Sequence, residues 1–141
     1  MYLECPYLPK IPEEIIETNL SVIESGKKIY PKKSETFCSW WLDDKLEIFL
    51  QPYFNFPIEV RYQVIKNKLP IHTDIGRKFC YNYLIHLGGN NIHTRWFDTE
   101  NNEIESVVMG EKKWYWLDVS VPHDIDQWVD YRIAISVKHA N

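Results

Sequence analysis

The strongest constraint on the fold is a change in hydrophobic pattern at Ile58. Before it, apolar residues recur at helical spacing, and after it short runs of branched and aromatic residues alternate with polar ones. The clearest predicted strands cover residues 58–64, 79–87, 114–121 and 131–137, and turn residues at 88–91 and 100–102 separate some of them. Helices followed by roughly seven or eight short strands predict a helix-backed sandwich or barrel of the jelly-roll type.

The first part of the chain predicts two helices. The first follows apolar residues at helical spacing between Pro12 and Gly26, namely Ile15, Ile16, Leu20 and Ile23. The second must end before Pro52 and follows Leu42, Leu46, Phe49 and Leu50. With 141 residues the chain fits one domain, in which residues 1–57 form a helical support and residues 58–138 form the β core.

Charge and cysteine content narrow the function classes. The formal charge is -4 and the lysines are scattered, which argues against a nucleic-acid partner. Cys5, Cys38 and Cys80 form no CxxC pair, which favours a reducing compartment over a disulfide framework or a zinc site. No stretch is apolar and long enough for a signal peptide or a membrane span. We therefore expect a cytoplasmic protein without a membrane partner.

A His-x-Asp pair, His72 and Asp74, stands where a predicted strand ends. In an extended segment, residues two apart project to the same side, so one imidazole and one carboxylate would face a common point. His123, just before the last predicted strand, is the candidate for a third ligand, and His86 and His93 compete with it. Two imidazoles and one carboxylate suit non-haem Fe(II) with open positions. The alternative for each histidine is a structural or surface role.

The last predicted strand has two different faces. Tyr131, Ile133, Ile135 and Val137 form an apolar face, and the other face carries Arg132, Ala134 and Ser136. Burying an unpaired arginine is costly, so we expect an anion to meet it, and a guanidinium matches a carboxylate. A dicarboxylate would then bind Arg132 at one end and the metal at the other. The alternative is a surface ion pair between Arg132 and an aspartate, for which the candidates are Asp124, Asp126 and Asp130.

In their order and spacing, these residues resemble the pattern of the Fe(II)- and 2-oxoglutarate-dependent oxygenases, which include prolyl, phytanoyl and asparaginyl hydroxylases: His72-x-Asp74, His123, Arg132 and Ser136. The sequence is similar to small bacterial and phage members in particular, where an arginine and an asparagine, here Arg77 and Asn82, follow the His-x-Asp pair. The resemblance covers residues 58–138 and implies a double-stranded β-helix, mostly β and cupin-like, with one or two N-terminal helices packed on its major sheet.

The resemblance also implies roles for individual residues. His72, Asp74 and His123 would bind Fe(II), and no catalytic residue is expected beyond this metal centre. Arg132 would bind the distal carboxylate of 2-oxoglutarate, with support from Ser136. Tyr62 is similar to a tyrosine that contacts the cosubstrate in prolyl hydroxylases, and Asn82 resembles a polar strand residue that lines the pocket. With dioxygen, such a site would serve a dioxygenase, a hydroxylase acting on a small molecule or a peptide.

Two other functions remain open at this point. The chain would keep the same shape as a cupin-like module that binds a metal or a ligand without oxygenase activity, or as a cupin-type isomerase with another metal. Convergence of Arg132 with the three ligands is the discriminating feature. The sequence predicts neither the substrate, nor the oligomeric state, nor what covers the metal between Trp96 and Lys113, and Arg77 and Arg95 are only loose candidates for meeting an anionic substrate.

Overall fold

The computed structural model describes residues 1–17, 38–65, 69–126 and 132–140, and for residues 38–42 the backbone alone. Residues 13–17 are helical and form the described part of helix α1. They correspond to the start of the predicted first helix, and the rest of that prediction lies outside the described residues. Helix α2 spans Asp44–Leu50 and continues as a 3-10 turn at Gln51–Tyr53. Asp43 caps α2 by accepting a hydrogen bond from the backbone N–H of Leu46, at 3.0 Å.

The strands make the protein mostly β. In chain order they are β1 (Tyr2–Glu4), β2 (Cys38–Leu42), β3 (Ile58–Ile65), β4 (Leu69–His72), β5 (Phe79–His86), β6 (Thr94–Phe97), β7 (Glu103–Val107), β8 (Trp114–Asp118), β9 (His123–Ile125) and β10 (Arg132–His139). They form two antiparallel sheets, a large sheet of six strands in the order β1-β8-β5-β10-β3-β2 and a small sheet of four in the order β4-β9-β6-β7. This arrangement confirms the predicted jelly-roll class.

The N-terminal segment differs from the prediction because it contributes strands as well as helices. β1 and β2 are the two edges of the large sheet, where β1 pairs with β8 and β2 pairs with β3. Leu42, which we predicted in the second helix, is the last residue of β2 and lies opposite Arg61. Pairing with a neighbouring strand overrides local helical spacing here, since strand formation depends on the partner more than on the residues themselves.

Two apolar clusters hold the sheets and helices together. On the helix side of the large sheet, the alternate residues of β3 and β10 pack with Leu46 and Leu50 of α2: Ile58, Val60, Tyr62, Val64, Ile133, Ile135 and Val137. The second cluster draws residues from both sheets, among them Leu84, Trp96, Leu117 and Ala134. The central strands β3, β5 and β10 therefore have one face toward the helices and one toward the small sheet, and the second face is the one that can form a site.

Within the described residues, no helix has both the length and the apolar character that a membrane crossing requires.

Candidate metal centre

The three predicted metal ligands lie together at one end of the small sheet. β4 ends at His72 and β9 begins at His123, and these two residues are directly opposite each other in the antiparallel pairing. Asp74 follows β4, and its backbone N–H donates to the carbonyl of Val119 at 3.0 Å. Strand pairing therefore fixes the separation of the two histidines, and a turn anchored to the large-sheet side brings the carboxylate to them.

The ligand atoms are close enough for a single ion. One oxygen of the carboxylate, Oδ1 of Asp74, lies 3.4 Å from Nε2 of His72 and 3.4 Å from Nε2 of His123. The imidazole centroids are 4.4 Å apart. One donor atom from each of the three residues lies within 4.8 Å of the others, which is the spacing that ligands around one metal ion require.

Both imidazoles are held with Nε2 facing the shared point. Nδ1 of His72 lies 2.7 Å from the carbonyl oxygen of Pro70, and Nδ1 of His123 lies 2.7 Å from that of Val121. A backbone carbonyl can only accept, so each Nδ1 carries a proton, and Nε2 is the nitrogen that faces Asp74 and, once unprotonated, is available to a metal. Fixing the tautomer through a backbone carbonyl is the usual way in which proteins orient metal-binding histidines.

The surroundings of Asp74 favour its ionised form, which is the form that binds a cation. Burial alone would raise the pKa of this carboxyl, but hydrogen bonds from His123 and His72 and the positive charge of Arg77 together hold the pKa well below its usual range. The hydrogen bond that His72 donates to Asp74 raises the pKa of His72, against the effect of partial burial. An ionised carboxylate beside two imidazoles fits a divalent transition metal.

Arg132, at the start of β10, lines the same cavity as the three ligands. It is 1% exposed, and its Nε and Nη1 atoms have no hydrogen-bond partner among the described residues. Burial lowers the pKa of Arg132 to about 10, with Asp126 acting in the opposite direction. Two buried guanidinium nitrogens without a hydrogen-bond partner in the described part of the chain are an unusual cost in a folded protein, and they point to an anionic ligand.

The aspartates that competed for Arg132 are engaged elsewhere. Asp124 binds Arg95 through both carboxylate oxygens, and Asp126 accepts from the backbone N–H of His93 at 2.6 Å. Asp130 lies outside the described residues. His93 itself is 40% exposed at its side chain and faces Asp126, and neither it nor His86 belongs to the described metal cluster.

The other three residues predicted to contact the cosubstrate, Asn82, Ser136 and Tyr62, differ in their position relative to the cavity. Asn82 lines the cavity, as do Arg132 and Ala134. Ser136 is 1% exposed, but it does not line the cavity. Tyr62 is a correction: its ring is fully buried in the cluster on the helix side. Its neighbour Gln63 lines the cavity, and successive residues of a strand face opposite sides of the sheet.

The region between Trp96 and Lys113, which the sequence left open, supplies part of the cavity wall. Trp96 of β6 is the register partner of His123, and its Nε1 donates to the carbonyl of Asp118 at 2.8 Å. Met109, after β7, lines the cavity as well. The wall is otherwise largely apolar, through Ile65, Leu69, Leu84, Leu117, Val119 and Ile125.

No protein-family model matches the sequence, and no curated protein matches it. Among solved structures, a prolyl-4-hydroxylase from Pseudomonas putida has a TM-score of 0.65 at 11% sequence identity, over 96% of this chain and 90% of that one. A hydroxypropylphosphonic acid epoxidase from S. wedmorenis has a TM-score of 0.43 at 16% identity, over 58% and 44% of the chains. An rmlC-like cupin from Desulfovibrio desulfuricans has a TM-score of 0.39 at 8% identity, over 77% and 89%. The likeness to the prolyl-4-hydroxylase shows the fold alone: this chain shares with that protein a mostly β, cupin-like fold of two antiparallel sheets.

Proposed function

We propose that this protein is a non-haem Fe(II)- and 2-oxoglutarate-dependent dioxygenase, acting as a hydroxylase on a small molecule or a peptide. The observation that carries the proposal is that one cavity contains both the His72, Asp74 and His123 cluster and the buried guanidinium of Arg132. Nε and Nη1 of this guanidinium have no hydrogen-bond partner among the described residues. A metal-binding module without a cosubstrate would need the ligands and would have no use for a buried cation beside them.

The charges that line the cavity support a dianionic cosubstrate. Among the described lining residues, the positive charges of Arg77 and Arg132 balance the negative charges of Asp74 and Asp118. A divalent metal ion then leaves an excess of two positive charges in a largely apolar space. A dicarboxylate removes this excess, and its two ends match the two cations, one at the metal and one at Arg132.

In this proposal the residues of the protein bind and orient the metal and the cosubstrate. Nε2 of His72, Nε2 of His123 and Oδ1 of Asp74 would hold the metal, and Arg132 would hold the distal carboxylate. The apolar side chains of the wall, such as Leu84 and Met109, keep bulk water from the cavity. When bound, Fe(II) and 2-oxoglutarate supply the oxidising chemistry, in which dioxygen is consumed, succinate and carbon dioxide are released and one oxygen atom enters a substrate C–H bond.

Anaerobic spectroscopy tests the proposal directly. Adding Fe(II) and then 2-oxoglutarate to the wild-type protein without oxygen should give a visible metal-to-cosubstrate charge-transfer band. The band should be absent in His123→Ala, which loses a ligand. It should persist in His93→Ala, a matched control because His93 faces Asp126 instead of the metal cluster. No band from the wild type would refute the cosubstrate role.

Succinate formation under oxygen distinguishes the remaining outcomes. An oxygenase should release succinate slowly without its substrate and faster when the right substrate is present, so a screen of small molecules and peptides by succinate release also identifies the substrate class. A protein that binds metal but forms no succinate with any of them would instead be a cupin-like binding module or an isomerase.

A further inference from the structure

Arg77 makes an unusual contact with the metal-ligand carboxylate. Its Nε lies 2.6 Å and its Nη2 2.5 Å from the same oxygen, Oδ2 of Asp74. Both side chains are only 15% exposed. The other oxygen, Oδ1, is the one that lies 3.4 Å from Nε2 of each histidine. The two oxygens of Asp74 are therefore divided between a guanidinium and the metal cluster.

A second arginine–aspartate pair in this protein shows the ordinary geometry. Arg95 donates from Nε to Oδ1 of Asp124 at 2.9 Å and from Nη2 to Oδ2 at 2.7 Å, so both oxygens are used. This two-pronged pairing is the one that best satisfies a carboxylate and a guanidinium when nothing else competes. Arg77 departs from it by placing both nitrogens on one oxygen, which leaves Oδ1 for another partner.

We propose that Arg77 is a positioning residue that holds Asp74 as a one-oxygen metal ligand, an inference that rests on the proposed metal site. A carboxylate without such a partner can rotate and bind an ion through both oxygens, which takes up a coordination position that cosubstrate or dioxygen needs. With Oδ2 occupied by Arg77, only Oδ1 remains for the metal. Arg77 also offsets part of the cost of burying the carboxylate before a cation binds.

The backbone between the two residues is shaped for this contact. Gly76 has a φ of 80°, in the left-handed region, and it reverses the chain so that Arg77 reaches back to Asp74 three residues earlier. The N–H of Asp74 is held by Val119, so the carboxylate side of the contact is anchored as well.

The test compares metal binding in Arg77→Gln and Arg95→Gln, which remove one arginine of each pair. Co(II), added anaerobically, serves as the probe because its visible spectrum reports coordination number. We expect Arg77→Gln to bind Co(II) about ten- to a hundredfold more weakly than wild type, the effect typical of losing a residue that orients a ligand. Its absorption bands should also change in intensity as Asp74 becomes free to bind through both oxygens. Arg95→Gln should leave both the affinity and the spectrum unchanged.

Arg77→Lys adds a graded control. Lysine keeps the charge but cannot place two nitrogens on Oδ2, so we expect an affinity between those of wild type and Arg77→Gln. If Arg77→Gln does not fold, as judged by thermal unfolding, Arg77→Lys alone decides the question.

The experiment distinguishes a failure of the proposed metal site from a failure of the positioning role of Arg77. A wild-type protein that binds no Co(II) would remove the metal site and the proposed function with it. A wild-type protein that binds Co(II), with an Arg77 variant of identical affinity and spectrum, would overturn the positioning role alone.

Discussion

His72 and His123 lie directly opposite each other on neighbouring antiparallel strands, with their ring centroids 4.4 Å apart. Each ring is turned by a carbonyl two residues before it in the chain, Pro70 for one and Val121 for the other, so that both Nε2 atoms face Asp74. The same local device is used on both strands. A pair of imidazoles with fixed tautomers is the part of the site that strand pairing provides.

In the proposed site the two histidines bind one ion, so we expect that their contributions do not add. His72→Ala and His123→Ala should each remove most of the stabilisation that metal gives, and the double variant should lose little more. For the wild type this stabilisation is about 2.7 kcal/mol when the metal is present at a hundred times its Kd. Thermal unfolding with and without Co(II) measures it, with His139→Ala as the control, since His139 stacks on Phe56 away from the cluster. Additive losses would contradict a shared ion.

Arg132→Met should stabilise the metal-free protein and abolish cosubstrate binding at once. The guanidinium is 1% exposed and its Nε and Nη1 lack hydrogen-bond partners among the described residues, so methionine should raise the free energy of unfolding by about 1–3 kcal/mol. Metal affinity should stay at the wild-type value, and the affinity for 2-oxoglutarate should fall by a hundredfold or more, on the order expected for a buried charge pair. Chemical denaturation and anaerobic titration measure the two effects.

Arg95→Met is the control with the opposite expected sign. Its partner Asp124 is 3% exposed, so removing Arg95 leaves a buried carboxylate without its cation and should destabilise the protein. If Arg132→Met destabilises the protein to the same extent as Arg95→Met, Arg132 stabilises the fold through a partner within the protein, and the argument that it binds an anionic ligand fails.

The pH dependence of the metal-free protein should reveal the His72–Asp74 contact. The hydrogen bond that His72 donates to Asp74 raises the pKa of His72 in the folded state above the unfolded value of about 6.5. Protonated His72 therefore stabilises the fold fully below about pH 6.5, and this stabilisation is lost as the pH rises through the folded pKa. Thermal unfolding after chelator treatment should show that the advantage of wild type over His72→Gln shrinks as the pH increases from about 5.5 to 8.5. A constant difference would mean that the two side chains do not interact.

Metal binding should follow the reverse trend over the same range. A metal takes the neutral imidazole, so a proton on His72 competes with it, and the affinity for Co(II) should increase as the pH rises. Asp74 should not contribute to this slope, because its pKa lies well below the range of the experiment.

The central strands of the fold could be predicted from the sequence because their alternation reflects burial on one face. Segments around 58–64, 79–87, 114–121 and 131–137 correspond to β3, β5, β8 and β10. The edge strands β1 and β2 could not be predicted in the same way. β1 has three residues, too few to show alternation, and β2 is defined by its pairing with β3, which local sequence does not encode.

For the candidate site, the informative signals were the spacing between residues along the chain and the side of a strand on which each residue lies. The His-x-Asp spacing predicted His72 and Asp74, and the alternation of β10 predicted Arg132 and Ala134, all of which line one cavity; Ser136, on the same predicted face of β10, does not line it. Tyr62 was chosen by resemblance against its own alternation with Val60 and Val64, which places it with the apolar face of β3. The contact of Arg77 with Asp74 depends on the turn at Gly76, and only the three-residue spacing between them gave a signal.

Gly76→Ala tests how strongly this turn supports the site. A Cβ at residue 76 would meet nothing within 4 Å, so the cost of the substitution comes from the backbone, where a φ of 80° is unfavourable for any residue with a Cβ. We expect a loss of about 1–2 kcal/mol in the free energy of unfolding if the turn is kept. If the turn instead relaxes, Arg77 moves away from Asp74 and the affinity for Co(II) falls as in Arg77→Gln.

Gly110→Ala is the control, since its φ is not in the left-handed region and its Cβ would meet chiefly the flexible side chain of Lys113. Chemical denaturation and Co(II) titration of both variants distinguish the outcomes, and wild-type stability and affinity in Gly76→Ala would show that the left-handed turn is not needed.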